Sequence, residues 1–150
     1  MKLEYLMTFD GQVKEIQKIG KSPQGEKYIY VMTGGTFEGP NLKGHILDGS
    51  AADWMTIHDN GLCSLDVRKT FKTHDNALIY VTYHGLYQFD DRLTEKIKSG
   101  QGYDFGETLF QVQMQFETGD QRYDWLNRTL AVAEARETSN KVEYRAYALN

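Results

Sequence analysis

Phe116-Glu117-Thr118-Gly119-Asp120-Gln121-Arg122-Tyr123-Asp124-Trp125-Leu126-Asn127-Arg128 crowds carboxylates, arginines, an asparagine, a tyrosine and a tryptophan into one short run. Just before it, Leu109 to Glu117 alternates strictly. Phe110, Val112, Met114 and Phe116 fall on one face and Gln111, Gln113, Gln115 and Glu117 on the other, the pattern of a half-buried strand. Strand character resumes at Thr129. The stretch between reads as a strand end, a turn at Gly119 and one helical turn, N-capped by the Asp120 carboxylate. On this reading the turn crosses a barrel opening and drives Tyr123 and Trp125 inward. Trp125 is expected to be largely buried, with Asn127 bonded to backbone beside it.

The rest of the chain is built of similar strands. Leu3, Tyr5, Met7 and Phe9 alternate with Lys2, Glu4 and Thr8, and Asp10-Gly11 is a two-residue hairpin signal before a second strand, Val13 to Ile19. Lys27 to Glu38 reads as one long strand bent at Gly34-Gly35. Leu42 to Asp48 follows, then a strand opening on Asp53-Trp54 and ending before Asn60-Gly61, the strongest hairpin signal. Leu62 to Thr73 and Ala77 to Phe89 are the longest runs. Asp91 to Ser99 is the one helix, with Leu93 and Ile97 four apart and Gly100 as its stop. Thr129 to Glu137 and Lys141 to Leu149 complete the set, hinged at Ser139-Asn140. Short turns imply antiparallel neighbours. About ten strands in one domain, residues 1–150, rarely stay an open sheet, so an all-β antiparallel barrel with one short helix and one helical turn is expected.

The composition is 40% apolar and 13% aromatic, with ten tyrosines and two prolines, which favours strands. A net charge of -4 without a Lys/Arg cluster argues against nucleic acid and anionic membrane as partners. Cys63 is single and reads as a buried, inert thiol. The N-terminus alternates and carries acid early, unlike a signal peptide. The longest apolar run, Ala77 to Val81, is far short of the roughly 20 residues of a membrane helix. A cytoplasmic location is expected.

Familiar catalytic signatures are missing. None of the five serines lies in a nucleophile elbow, and Gly100, Gly102 and Gly106 miss the dinucleotide-binding spacing. His45, His58, His74 and His84 show no paired spacing, so no metal site and no cofactor are expected. Two features carry candidate chemistry. Asp66, Arg68 and Thr70 share one face of their strand, opposite Leu65, Val67 and Phe71. That face is either a solvated exterior with a weak Asp66–Arg68 pair, or the lumen, with Arg68 a fixed cation for an anionic or carbonyl oxygen. Arg68 is expected to face the lumen, paired with Glu117 or Asp66, since an unpaired buried guanidinium is too costly. The second feature is the set Asp53, Trp54, Tyr80 or Tyr83, Glu117 and Trp125. These are either core or the lining of a barrel mouth, where small-molecule sites form.

Gly34-Gly35-Thr36-Phe37-Glu38-Gly39-Pro40, Asp53-Trp54, Leu65-Asp66-Val67-Arg68, Ala77-Leu78-Ile79-Tyr80-Val81 and the run from Phe116 to Arg128 together resemble one family over nearly the whole chain. It is the bacterial and fungal domain-of-unknown-function family 3237, whose members look like small antiparallel β-barrels. The resemblance implies the barrel and raises Asp53, Trp54, Arg68, Tyr80, Glu117, Trp125 and Asn127 as site candidates. Two positions depart from it: Met114, where similar sequences tend to have proline, and Lys69, where an aromatic is commoner.

Three function classes follow. The leading expectation is a small-molecule-binding barrel for an aromatic or carbonyl-bearing ligand, held by Trp54, Tyr80, Trp125 and Asn127 with Arg68 polarising an oxygen. The second is an enzyme on the same barrel, with Asp53 or Glu117 as general acid–base in isomerase, hydratase or cyclase chemistry. The third is a homo-oligomeric scaffold, a dimer, burying Leu65-Val67-Phe71 and Phe110-Val112-Met114 against a second copy. Enzyme and binder separate on one point: an enzyme keeps a carboxyl beside the ligand with its pKa lifted by burial, whereas a binder can hold its carboxylates in salt bridges.

Overall fold

A computed structural model describes residues 1–138 and 141–150, so the turn expected at Ser139-Asn140 lies outside the described residues. The elements run β1 (Leu3–Ser22), β2 (Gly25–Thr33), β3 (Thr36–Glu38), β4 (Lys43–Ile46), β5 (Ala52–Ile57), β6 (Leu62–Thr73), β7 (Leu78–Gln88), α1 (Asp91–Lys98), β8 (Phe110–Glu117), β9 (Ala131–Glu137) and β10 (Val142–Leu149). A 3-10 segment, Gln121–Arg128, joins β8 to β9. All pairings are antiparallel, and β10 bonds back to β1, so the ten-stranded sheet closes on itself.

Ten strands are present, divided differently from the sequence expectation. Asp10-Gly11 is not a hairpin: β1 runs straight through it for 20 residues. The strand changes partners there instead. Its first half pairs with β10 and β3, its second with β2. The Asp10 carboxylate bonds outward to both sides, accepting Thr36 N–H at 3.0 Å and Lys141 Nζ at 3.1 Å. Lys27 to Glu38, expected as one strand, is two, because Gly34 and Gly35 both take positive φ and break the ladder. β1 and β6 are thus bridged twice, by β2–β5 and by the short pair β3–β4.

Register fixes which residues face inward. The cross-strand pairs Asp53–Val67, Val67–Tyr83, Tyr83–Met114 and Met114–Ala131 place one layer on the lumen side. Leu65, Val67 and Phe71, and Phe110, Val112 and Met114, are therefore core, which corrects their expected use as outer interface strips. Phe9 stacks on Tyr144 with centroids 4.6 Å apart, and Phe37 stacks on Phe71 at 4.5 Å. Alanines at 131, 133, 135, 146 and 148 leave room for these rings.

The two ends are closed differently. At one, α1 is N-capped by Asp90, which accepts Arg92 N–H at 2.8 Å, and buries Leu93. At the other, the 3-10 segment is N-capped by Asp120, kinks at Tyr123 (φ -119°, ψ 15°), and buries Tyr123 and Leu126. Tyr123 Oη donates to Asp75 Oδ1 at 2.8 Å, anchoring the segment to the β6–β7 turn. Trp125 is 37% exposed, a correction to its expected burial, because it leaves the flank of that segment rather than its inner side. Leu126→Ala should cost about 2–5 kcal/mol in urea unfolding. Trp125→Ala should cost well under that, and an equal loss would mean the indole is the real plug.

Candidate functional site

A cavity of about 240 Å³ occupies the lumen at the α1 end. Thr94 and Ile97 of α1 overhang it, and Tyr83 and Tyr144 lie toward the core side, among Met32, Met55, Val67 and Phe110. Since an apolar cavity of about 150 Å³ accepts benzene, this one has room for a substituted ring. Two carboxyl groups, Asp53 and Glu137, line it with Tyr28, Tyr30 and Tyr87.

Asp53 is held by strand geometry. It opens β5 opposite Val67, and its Oδ1 accepts the Asp66 N–H at 3.2 Å. Burial pushes its pKa up to about 7, against that hydrogen bond and the Lys69 ammonium, which favour the charged form. Lys69 is the second surprise of the lumen. It is 1% exposed, and its Nζ lies 5.5–5.7 Å from the ring centroids of Phe9, Tyr83 and Tyr144. Burial pulls its pKa down to about 8, while the carboxylates of Asp53 and Asp10 push the other way. Burial likewise raises Glu137, Tyr30 and Tyr87, the last two to about 12. Among the described residues no three His, Cys, Asp or Glu side chains gather as metal ligands.

A family model described as "Protein of unknown function (DUF3237)" matches residues 1–149. The chain belongs to the DUF3237 family. A β-barrel-like protein from Acinetobacter baumannii AYE is similar to it, with 36% identity and a TM-score of 0.82 over 99% of this chain and 96% of that one. A conserved protein of unknown function from Rhodopseudomonas palustris is 27% identical, with a TM-score of 0.86 over 98% and 95% of the two chains. A structure described as an enzyme from Penicillium herquei shares the fold at 20% identity, with a TM-score of 0.71 over 97% and 93%.

In this DUF3237 chain the residues singled out from sequence fall into three places. Asp53 lines the cavity, as does Tyr83, the alternative weighed beside Tyr80. Trp54 and Arg68 are on the outer face, where the guanidinium lies 5.2 Å from the indole centroid and 3.6 Å from Asp66 Oδ1. Arg68 thus points away from the lumen, because β6 turns its odd-numbered residues inward. Tyr80, Glu117 and Asn127 meet around a shallow outer hollow near the 3-10 segment. There Asn127 accepts Thr118 N–H at 2.8 Å and donates to Thr118 O at 3.0 Å. Trp125 lies within that segment, at the end of the sheet opposite the cavity.

Lys69, Glu137, Tyr30, Tyr87 and Tyr144 were not among the sequence candidates. Two of them carry a signal in the pattern. Lys69 interrupts the apolar series Leu65, Val67, Phe71, and Glu137 ends the series Ala131, Ala133, Ala135. A charge on an otherwise apolar strand face is a polar group delivered into the core.

The raised pKa of Asp53 has a sign. The folded protein holds the proton that the unfolded chain releases near 3.8, so this contribution to stability is full below that value and is lost as pH rises through about 7. Between pH 5 and pH 8 the wild type should lose about 2–3 kcal/mol relative to Asp53→Asn. Urea unfolding of both at the two pH values measures it, and parallel curves would show Asp53 ionising freely.

Proposed function

We propose that the lumen cavity binds a small aromatic or carbonyl-bearing compound and that Asp53 transfers a proton on it. One observation carries the reading: a buried carboxyl with its pKa near 7 faces the cavity, and no ion pair within 4.0 Å engages it among the described residues. A group in that state is populated as both acid and base near neutral pH, which general acid–base catalysis requires. The Asp53 carboxylate would take a proton alpha to a ligand carbonyl, leaving an enolate, and return it to the same or another atom. The Lys69 ammonium, buried in the adjoining aromatic layer, favours the negative charge that develops. Isomerisation, hydration and cyclisation all fit this chemistry.

The probe is 2-indanone in D2O, with alpha-proton exchange followed by NMR. Exchange should exceed the buffer rate and rise with pH through about 7. Asp53→Asn should slow it about 100-fold or more. Exchange at the buffer rate with binding retained would leave a binding module, and exchange undiminished in Asp53→Asn would remove Asp53 from the role.

The outer face supports a homo-oligomer as a separate proposal. Leu3, Leu86 and Leu109 are exposed around one hollow of about 850 Å³, floored near Gly85, and such apolar ground favours a second copy. Light scattering at micromolar concentration should give a multiple of the 17.3 kDa chain mass, and the single mass would remove the idea.

A further inference from the structure

Enolate formation at Asp53 puts negative charge on the ligand oxygen, and that oxygen needs a hydrogen-bond donor on the cavity wall. Lys69 does not reach it, because the side chain is 1% exposed among the rings of Phe9, Tyr83 and Tyr144. Arg68, the cation expected there from sequence, is on the outer face. Among the described residues no Lys, Arg or His lines the cavity, whereas Asp53 and Glu137 do. The donor is therefore a neutral group. The ligand is neutral too, since a carboxylate or phosphate would meet like charge with no cation to offset it.

Five tyrosines line the cavity, and four have their hydroxyls engaged. Tyr28 Oη donates to Glu26 at 3.1 Å. Tyr83 and Tyr144 bond to each other, and the Tyr103 hydroxyl acts on Tyr87 from behind the wall. Tyr30 is the fifth. Its hydroxyl has no partner among the described residues and is not sealed off, so it is open to the cavity. β2 turns Tyr28, Tyr30 and Met32 inward, and Tyr30 pairs directly with Asp53 of β5. Directly paired residues carry their Cβ atoms about 5 Å apart on one face of a sheet. The acidic carbon and the oxygen of a ketone are two bonds apart, so one ligand can meet both groups. Asp53 Oδ1 already accepts the Asp66 N–H, which leaves Oδ2 for that ligand. Burial, and after it the Asp53 carboxylate, raise the Tyr30 pKa to about 12, so the phenol keeps its proton at neutral pH and donates.

We propose that Tyr30 is a catalytic residue whose O–H holds the ligand oxygen while Asp53 works on the adjacent carbon, and that the site takes a neutral, enolisable ketone. The inference rests on the lumen reading above and names its substrate class. In the forward step the C–H bond breaks and its proton passes to Asp53 Oδ2. The freed electron pair forms the C=C bond, and the carbonyl π pair moves onto oxygen. Tyr30 donates a hydrogen bond to that oxygen without giving up its proton. Reprotonation at carbon reverses the flow and restores both groups. The bond from Tyr30 strengthens as charge develops, so its weight falls on the rate more than on binding.

The test follows deuterium exchange into 2-indanone by NMR, with affinities from calorimetric titration. Tyr30→Phe should slow exchange at saturating ketone about 100-fold, while 2-indanone affinity stays within about fivefold. Exchange in the variant should still rise with pH through about 7, because Asp53 remains the base. A loss of less than about tenfold, or an inflection moved away from that pH, would overturn the role of Tyr30 and leave Asp53 chemistry standing. Thermal melting supplies a control: Tyr30→Phe should melt close to the wild-type temperature, since its hydroxyl bonds to nothing inside the protein. A melting point several degrees lower would show a structural hydroxyl, which also overturns the role. For the ligand class, indane-2-carboxylate should bind wild type at pH 8 about tenfold or more weakly than 2-indanone. Equal or tighter binding of the carboxylate would overturn the neutral class. If wild type exchanges 2-indanone only at the buffer rate, the proton-transfer reading itself falls, and Tyr30 with it.

Discussion

The fold depends on one long strand that serves three neighbours. β1 closes the sheet by pairing Leu3–Gly11 with β10, then hands over to β2 from Gln12 onward. Gly11 marks the handover. A Cβ there would make ordinary contact with Met32 Cε at 3.4 Å and Lys69 Nζ at 3.6 Å, so the buried amine packs directly beside the handover. Closure also removes the exposed edges of the sheet, which is what lets the lumen, rather than a second layer, supply the core. Every inward residue then has neighbours on all sides, and any polar group among them must find its partners inside.

Lys69 and Asp53 show what that enclosure does. Each would be strongly disfavoured as a lone charge in an apolar core. Together they reach a compromise in which burial lifts the carboxyl to about 7 and lowers the amine to about 8. Three aromatic rings around Nζ add the attraction of their faces for the cation. The arrangement is poor as a stabilising device, since well-packed apolar side chains would do better. What it does provide is an ionisable carboxyl facing a cavity.

The barrel was legible because period-2 alternation and short turns act locally, and both survive folding unchanged. The strands from β4 onward follow from that pattern, and the helix at Asp91 follows from Leu93 and Ile97 four apart with Gly100 as its stop. Partner exchange does not. Asp10-Gly11 carries a hairpin signature, yet tertiary pairing on both edges of β1 overrides it. The site was less legible for the same reason. Alternation divides β6 into two faces but does not say which one closes inward, and Arg68 and Lys69 exchange roles on that choice. Asp53 was reachable because it adjoins a strand start, whereas Glu137 and Tyr103 meet only through the long-range contact at Gly102.

The two ends of the lumen differ in how their polar groups are satisfied. At the 3-10 end the polar groups are satisfied by one another: Asp75 receives Tyr123 Oη and Arg122, and Asp120 receives Arg122. Phe37, Phe71 and Leu126 fill the space behind them. At the α1 end the polar groups are unsatisfied or shifted, the space is open, and the cover is an eight-residue helix resting on Leu93. A short helix with one deeply buried anchor opens at lower free energy than a strand bonded on both edges. The rigid end thus holds the strands in register, and the register sets Asp53 and Glu137 on opposite walls. The cavity thus lies at the end that can open without disturbing them.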